Sequence, residues 1–315
     1  MSGHTVLSID IGGSKLLVGL VDMKGKVIIK DREDLSRDIE KGQLLNKIVS
    51  LSEKVKKACP GIIVDAAGVA IPGLADSNTG MWVFSCFSGI RDFPIASELA
   101  ALLDLPVFID NDVNVCAYGE KTFGICRDVD DFFWVTVSNG IGGGLVLKGE
   151  LYQGAYRSAG EIGHVIVEEV NGRLCPCGNR GCLEAQASGQ AISKAYEERT
   201  GKKGVTAKAI ADLAKTGDEA ALQVYREAGF YLGKGIAAFV NALNPEKVVL
   251  GGGVSMASEL FLPTLRETVN QYMFKSANEK LLIEKTGLGY DAALIGAAAI
   301  AWQGIRENRS GGKSL

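Results

Sequence analysis

A chain of 315 residues, 47% hydrophobic and 23% charged, is long enough for two domains with their own cores and too apolar for a disordered polymer. Lys and Arg total 34 against 37 Asp and Glu, and a net charge of −3 offers no basic surface to nucleic acid or another polyanion. No apolar run reaches the roughly 20 residues of a membrane span, and the first ten residues read as a strand rather than a secretion leader, so the expected location is the cytoplasm.

The apolar runs Val6–Asp10, Leu16–Val21 and Val27–Ile29, broken by glycine turns, predict an antiparallel meander. Helical spacing of Leu44, Leu45, Ile48, Leu51 and Val55 predicts a helix over Gln43–Ala58, with Lys54, Lys56 and Lys57 toward its end. A buried strand follows over Ile62–Ile71 and stops at Pro72-Gly73. A helix over Ile95–Leu103 then feeds a short strand, Val107–Ile109, that ends at Asp110-Asn111-Asp112. Near residue 131 the pattern restarts: strand Phe132–Val137, a glycine turn Ser138–Gly144, and a returning strand Leu145–Leu147. The same device used twice implies two related halves. Helices are expected near 188–199, 206–215 and 218–242, then a strand Val248–Leu250 running into Gly251-Gly252-Gly253. A helix to about Tyr272, a strand Leu281–Glu284, an alanine-rich helix Ala292–Ile305 and a mobile polar tail Asn308–Leu315 complete the reading.

Glycine, at 40 residues, exceeds ordinary usage, and its clusters fall at strand ends. In Asp10-Ile11-Gly12-Gly13-Ser14-Lys15 the absent side chains would let backbone N–H groups approach a phosphate. Asp10 could hold Mg²⁺, and Ser14 and Lys15 could reach phosphate oxygens. A hairpin turn with an incidental acid is the plain alternative. Asn139, Gly140 and Gly142 repeat the turn, and Gly251, Gly252 and Gly253 would let a nucleoside lie against backbone. Three such clusters favour a nucleotide site over tight packing alone.

Of seven cysteines, Cys175, Cys177 and Cys182 crowd into eight residues, and His164 is the natural fourth ligand. Three thiolates and an imidazole suit tetrahedral Zn²⁺. The carboxylates around these features are Asp112 beyond a strand end, Glu161 before His164, and Glu184 after Cys182. Asp110 or Asn111 could cap a following helix, and Glu161 and Glu184 could be solvated acids; acids converging beside a metal knot also suit the hydroxyl groups of a sugar.

Asp10–Lys15 resembles the Asp-x-Gly-Gly-Thr-Lys phosphate motif of the ROK family of sugar kinases and repressors, with Ser for Thr. Glu161-Ile162-Gly163-His164 and Cys175–Glu184 resemble its sugar and zinc signature. The resemblance implies an α/β protein of the actin-like ATPase fold, two RNase H-like domains around an interdomain cleft, as a homodimer. The domains expected are a smaller one, residues 1–112 with 293–315, carrying the phosphate motif, and a larger one, residues 113–292, carrying the zinc motif. It implies a hexose kinase using ATP and Mg²⁺, glucose being the first candidate substrate. Asp112 would be general base, with Asn111, Glu161, His164, Glu184 and Gly73 on the sugar and the zinc structural. Asn139 stands where the family commonly has Thr, so a hydroxyl contact to phosphate becomes an amide contact. The loop Ser85–Ile90 lacks the asparagine often presented to the sugar there, which opens the way to N-acetylmannosamine or N-acetylglucosamine. A sugar-sensing regulator is the weaker expectation, since the phosphate strand begins by Thr5 where a repressor would carry a helix-turn-helix. A glycosidase with paired carboxylates would leave the glycine turns without a task.

Overall fold

The computed structural model describes residues 3–85 and 88–311, with side chains as far as residue 308. The opening segment forms the meander its apolar runs predict: β1 (His4–Ile11), β2 (Lys15–Asp22) and β3 (Val27–Asp34) pair antiparallel. Helix α1 (Lys41–Lys57) buries Leu44, Ile48, Leu51 and Val55, one stripe of a 3.6-residue period. Strand β4 (Ile63–Ile71) lies parallel to β1. Three short strands, β5 (Leu74–Asp76), β6 (Met81–Phe84) and β7 (Arg91–Phe93), form a small separate sheet that the sequence reading did not anticipate. Then come α2 (Ile95–Leu103), β8 (Val107–Asn111) parallel to β4, and α3 (Asp112–Phe123).

The restart near residue 131 gives β9 (Phe132–Val137), β10 (Ile141–Leu147) and β11 (Glu150–Tyr152), again antiparallel. Helices α4 (Leu183–Ala187), α5 (Gly189–Thr200), α6 (Ala207–Lys215) and α7 (Glu219–Leu243) follow, then β12 (Lys247–Gly251) parallel to β9. A 3₁₀ stretch, Val254–Leu260, precedes α8 (Leu262–Tyr272), β13 (Leu282–Lys285) lies parallel to β12, and α9 (Ala292–Gly311) ends the description. The two large sheets have orders β3-β2-β1-β4-β8 and β11-β10-β9-β12-β13. They share one topology, a three-strand meander extended by two parallel strands. Two such RNase H-like units in one chain make the actin-like ATPase fold. Among the described residues, no helix is long and apolar enough to cross a membrane.

Alternation along β1 sorts its side chains. Leu7, Ile9 and Ile11 join the core under α1 and α2, while Val6 packs with Ala298, Ala301 and Trp302 of α9, and the Ser8 hydroxyl donates to the Leu294 carbonyl. Asp10 therefore falls on the α9 side, at the end of the strand. In the second unit, Phe133, Val135 and Val137 face α7, where Phe133 stacks on Phe239 with centroids 4.8 Å apart.

The structure revises four expectations. Gly142 to Gly144 belong to β10, so the second turn is only Ser138–Gly140. The segment to Tyr272 is a 3₁₀ stretch and a separate helix, and α9 continues through Gly311 where a mobile tail was expected, residues 312–315 lying outside the described residues. The change of unit falls after Asp128 rather than after residue 112, and the first unit includes Gln153–Ser158 and the chain from Tyr290 on. Its cause is the packing of α3 against α9, so close that a Cβ at Gly296 would stand 1.9 Å from the Val115 carbonyl oxygen. The two units are consequently near-equal in length rather than small and large.

The same closeness recurs at Gly68 of β4, where an added Cβ would lie 1.8 Å from the Ala297 carbonyl oxygen. Gly68→Ala must push α9 off the sheet and is expected to cost about 2–3 kcal/mol. The check is a lower urea midpoint; an unchanged midpoint would show that the helix can shift without cost.

Candidate active site

Parallel register aligns Asp10 of β1 with Ala70 of β4, and Ala70 with Asp110 of β8. The first unit thus presents its acids at the carboxyl ends of its parallel strands, where open α/β sheets bind ligands. Asp10 is half-buried, and desolvation raises its pKa to about 6, against the pull of Lys15 and with a push from Asp291. The turn after it is tight: the Gly12 N–H donates to the Lys15 carbonyl at 2.8 Å, and the Ser14 carbonyl accepts from the Leu35 N–H at 2.9 Å. Gly12 and Gly13 line a hollow with Arg37, Pro72, Trp82 and Ser88, while Ser14 and Lys15 are exposed. The Trp82 indole N–H and the Ser88 hydroxyl are buried there without a hydrogen-bond partner among the described residues. Of the loop expected to face a sugar, Cys86 and Phe87 lie outside the described residues.

Asn111 caps α3. Its side-chain oxygen accepts from the Val113 and Asn114 N–H groups at 2.9 and 3.2 Å, and its Nδ2 donates to the Gly73 carbonyl at 2.9 Å and to Asp112 Oδ1 at 3.0 Å. Gly73 has φ +99°. An added Cβ there would meet the Phe84 carbonyl oxygen at 2.4 Å, so the bend that offers this carbonyl needs glycine. Asp112 opens the helix, with Oδ1 also accepting from the Val113 N–H at 3.0 Å. Desolvation, reinforced by the Asp10 charge, raises its pKa to about 7, although the bonds from Val113, its own N–H and Asn111 oppose the shift.

In the second unit, the glycines expected to meet nucleotide have differing surroundings. Gly142 pairs with Thr136 inside β10. A Cβ at Gly251 would lie 2.0 Å from the Trp134 ring and one at Gly252, φ +84°, would lie 2.4 Å from the Val137 carbonyl oxygen; Gly253 is open. Packing thus accounts for two of the three. At Gly140 a Cβ would strike Glu184 Oε2 at 2.4 Å, and that oxygen accepts the Ile141 N–H at 2.9 Å. Glu184 is therefore held by the Ser138–Gly140 turn beside Asn139. Glu161 precedes the 3₁₀ turn Ile162–His164 and is exposed, with Oε2 3.9 Å from His164 Nε2.

The other ring nitrogen, His164 Nδ1, lies 3.7 Å from Cys175 Sγ, and Cys177 Sγ lies 3.6 Å from Cys182 Sγ. One ligand atom from each of these four residues can be chosen so that all lie within 4.8 Å of one another. A tetrahedral Zn²⁺ with its usual bond lengths has ligand edges of about 3.5–3.8 Å, so the donor set fits. The Asn179 N–H, ahead of the Cys175 thiol, lowers the Cys177 thiol to about 7, toward the thiolate a metal needs.

Sequence reasoning missed the groups that brace this corner. Asp110 was read as a cap, but its side chain is buried and accepts from Asn114 Nδ2 and Gln153 Nε2, and Arg157 stands beyond Gln153. Gln153 is 43 residues from Asp110, and no spacing signals such a pair. The only clue to Arg157, its positive φ, belongs to the backbone.

The fold and these side chains define a two-unit actin-like protein with strand-end carboxylates and a cluster of one histidine and three cysteines that could hold a metal ion. A model of the ROK family matches residues 6–304, and the chain belongs to that family. A glucokinase of Thermotoga maritima is 34% identical over 309 residues, covering 94% of this chain and 96% of its own. A xylose repressor of Bacillus spizizenii is 31% identical over 302 residues, covering 95% of this chain and 77% of its own. Among solved structures, a ROK family glucokinase from Streptomyces griseus in complex with glucose and AMPPNP superposes with a TM-score of 0.84 at 28% identity, covering 95% of this chain and 99% of that one. Kinases and repressors thus lie at similar distance.

The metal knot makes a direct prediction. Purified protein should contain about one zinc per chain, and Cys177→Ala should contain none and melt at lower temperature. Elemental analysis with calorimetry checks it; a zinc-free wild type of unchanged melting temperature after chelation would exclude the metal.

Proposed function

We propose that this protein is an ATP-dependent sugar kinase that transfers the γ-phosphate of ATP to the 6-hydroxyl of a hexose, with glucose as the first candidate and N-acetylmannosamine or N-acetylglucosamine as the alternative. The observation that carries this reading is Asp112. It is a carboxylate held by Asn111 and Val113 at a helix start and weakened in acidity to about 7 by burial and by Asp10. A general base needs that balance: ionised in part near neutral pH, yet basic enough to accept a hydroxyl proton. A glucokinase among the relatives, and a structural neighbour holding glucose and AMPPNP, support the same direction.

In this reading Asp112 takes the proton of the sugar hydroxyl as the hydroxyl oxygen bonds to the γ-phosphorus of ATP and the bond from that phosphorus to the β–γ bridging oxygen breaks, releasing ADP. The Gly73 bend, Asn111, Glu161, His164 Nε2 and Glu184 hold the other hydroxyls. The Gly12–Lys15 turn and the Asn139–Gly140 turn hold phosphates, and the open backbone at Gly253 lies against the nucleoside. Asp10 is the group suited to Mg²⁺, which when bound supplies neutralisation of phosphate charge. His164 Nδ1 and the three thiolates would hold zinc with no open position, so the metal's contribution is to brace Glu161, His164 and Glu184.

Two outcomes are expected. Asp112→Asn should lower kcat by about 10² or more with little change in sugar affinity. The wild-type kcat/KM should rise with pH through about 7, because only ionised Asp112 accepts the proton, and this limb should vanish in the variant. Near-normal turnover in Asp112→Asn would remove the residue from its role. A panel of hexoses and N-acetylhexosamines with MgATP should give sugar-dependent ADP release; sugar binding without any release would favour the sugar-sensing regulator that the repressor relatives suggest.

A further inference from the structure

Asp110 takes no part in the mechanism above, yet it is a carboxylate only 6% exposed, two residues before Asp112. A carboxylate survives such burial only when hydrogen bonds replace water. Its Oδ1 accepts from the Asn111 N–H at 2.7 Å and from Asn114 Nδ2 at 3.0 Å, and its Oδ2 accepts from Gln153 Nε2 at 2.7 Å. One oxygen thus grips the first turn of α3, while the other is held by a residue distant in sequence.

Gln153 is itself fixed. Its Oε1 accepts from Arg157 Nη1 at 3.1 Å, which orients the amide with its donor end toward Asp110. The same Nη1 donates to the Ser77 hydroxyl at 2.8 Å, and Arg157 Nε lies 3.0 Å from Asp76 Oδ1. Arg157 has φ +58°, a left-handed backbone that is strained for a non-glycine residue. A strained arginine with three polar partners is over-determined, and strain of this kind collects where geometry matters. All of these residues belong to the first unit, although Gln153–Ser158 is flanked in the chain by residues of the second.

We infer that Gln153 and Arg157 are positioning residues for the Asn111–Asp112 corner, acting through Asp110. By fixing the Asp110 carboxylate they fix the Asn111 N–H and the Asn114 side chain, and with them the start of α3 and the direction in which Asp112 points. Displacement of a base by a fraction of an ångström lowers turnover far more than substrate affinity. The inference rests on the kinase reading, in which Asp112 is the base.

Two variants of Gln153 test it. Gln153→Met removes the donor at similar volume. Gln153→Glu keeps the shape, but the introduced carboxyl can donate to Asp110 only while one proton is shared between the two. Among the described residues, the charged group acting on Asp110 is Arg157, which in turn pairs with Asp76. Gln153→Met is expected to lower kcat about tenfold, with the sugar KM within about twofold of wild type. Gln153→Glu is expected to keep near-wild-type kcat at about pH 6 and to lose about tenfold relative to wild type by about pH 8.5, as the shared proton leaves. Space filling alone would not produce a pH-dependent ratio. A wild-type kcat in Gln153→Met, or a ratio for Gln153→Glu that is flat with pH, overturns the inference; should Gln153→Met fail to fold, the pH ratio decides alone. Wild type assayed in parallel separates the two readings: no sugar-dependent ADP release from it sinks the kinase reading and this inference together, whereas an active wild type with unaffected variants sinks only the relay.

Discussion

The parallel pairing of β1, β4 and β8 is the constraint on which the first unit depends. In-register strands about 4.8 Å apart bring Asp10, Ala70 and Asp110 into one row, with Asn111 ending β8 and Pro72-Gly73 and Asp112 just beyond the strand ends. Each of these residues is unremarkable alone. Together they form a rim where two carboxylates are half-buried; desolvation raises both toward neutrality, with a further push from Asp291 on Asp10 and from Asp10 on Asp112. The small residues on the α9 side of β4, Ala66, Gly68 and Ala70, let α9 lie close against that face. The close contact of α3 with α9 then fixes the helix that Asp112 begins.

The second unit repeats the topology but puts its chemistry elsewhere. Its glycines at the β9–β10 turn and after β12 are shaped in large part by their own neighbours, Glu184, Trp134 and Val137. Glu184 follows Cys182 and is tied by the Ile141 N–H to the strand after the Asn139 turn, so one residue joins the His164 and cysteine cluster to that turn. His164 faces the sulfurs with Nδ1 and Glu161 with Nε2. A metal on one face of that ring would orient the other, the usual service of a ligand's second nitrogen.

Kinase and repressor relatives share this scaffold, so the fold alone does not separate recognition of a sugar from its phosphorylation. The distinction falls on local chemistry at the Asp112 corner, where recognition requires only hydrogen bonds but phosphoryl transfer requires a base of suitable acidity in a fixed place. The bracing of that corner by Asp110, Gln153 and Arg157 is more than capping a helix needs, since Asn111 already satisfies two N–H groups of the first turn.

The chain's own order of residues determined much of this. Apolar periodicity located the first meander, the first two strands of the second, α1, α2, and α5 to α7, because burial of one face imposes a repeat that survives in one dimension; β11 had no such signal. The duplicated strand–turn–strand device announced two sheets of one topology, and the crowding of Cys175, Cys177 and Cys182 announced the cluster they form with His164, because its members are close in sequence. What only the tertiary structure decided involves partners far apart. Among these are the extension of the first unit through α3, the strand that absorbs Gly142 to Gly144, the small sheet β5–β7, and the meeting of Gln153 and Arg157 with Asp110. The close approach of the Trp134 ring to Gly251 and of the Val137 carbonyl to Gly252 also appears only in the tertiary structure, because a glycine that makes room for a ring or a carbonyl looks the same in sequence as one that makes room for a nucleotide. The acidity of Asp10 and Asp112 likewise exists only after folding, since desolvation and like-charge repulsion arise when two strand ends are brought together.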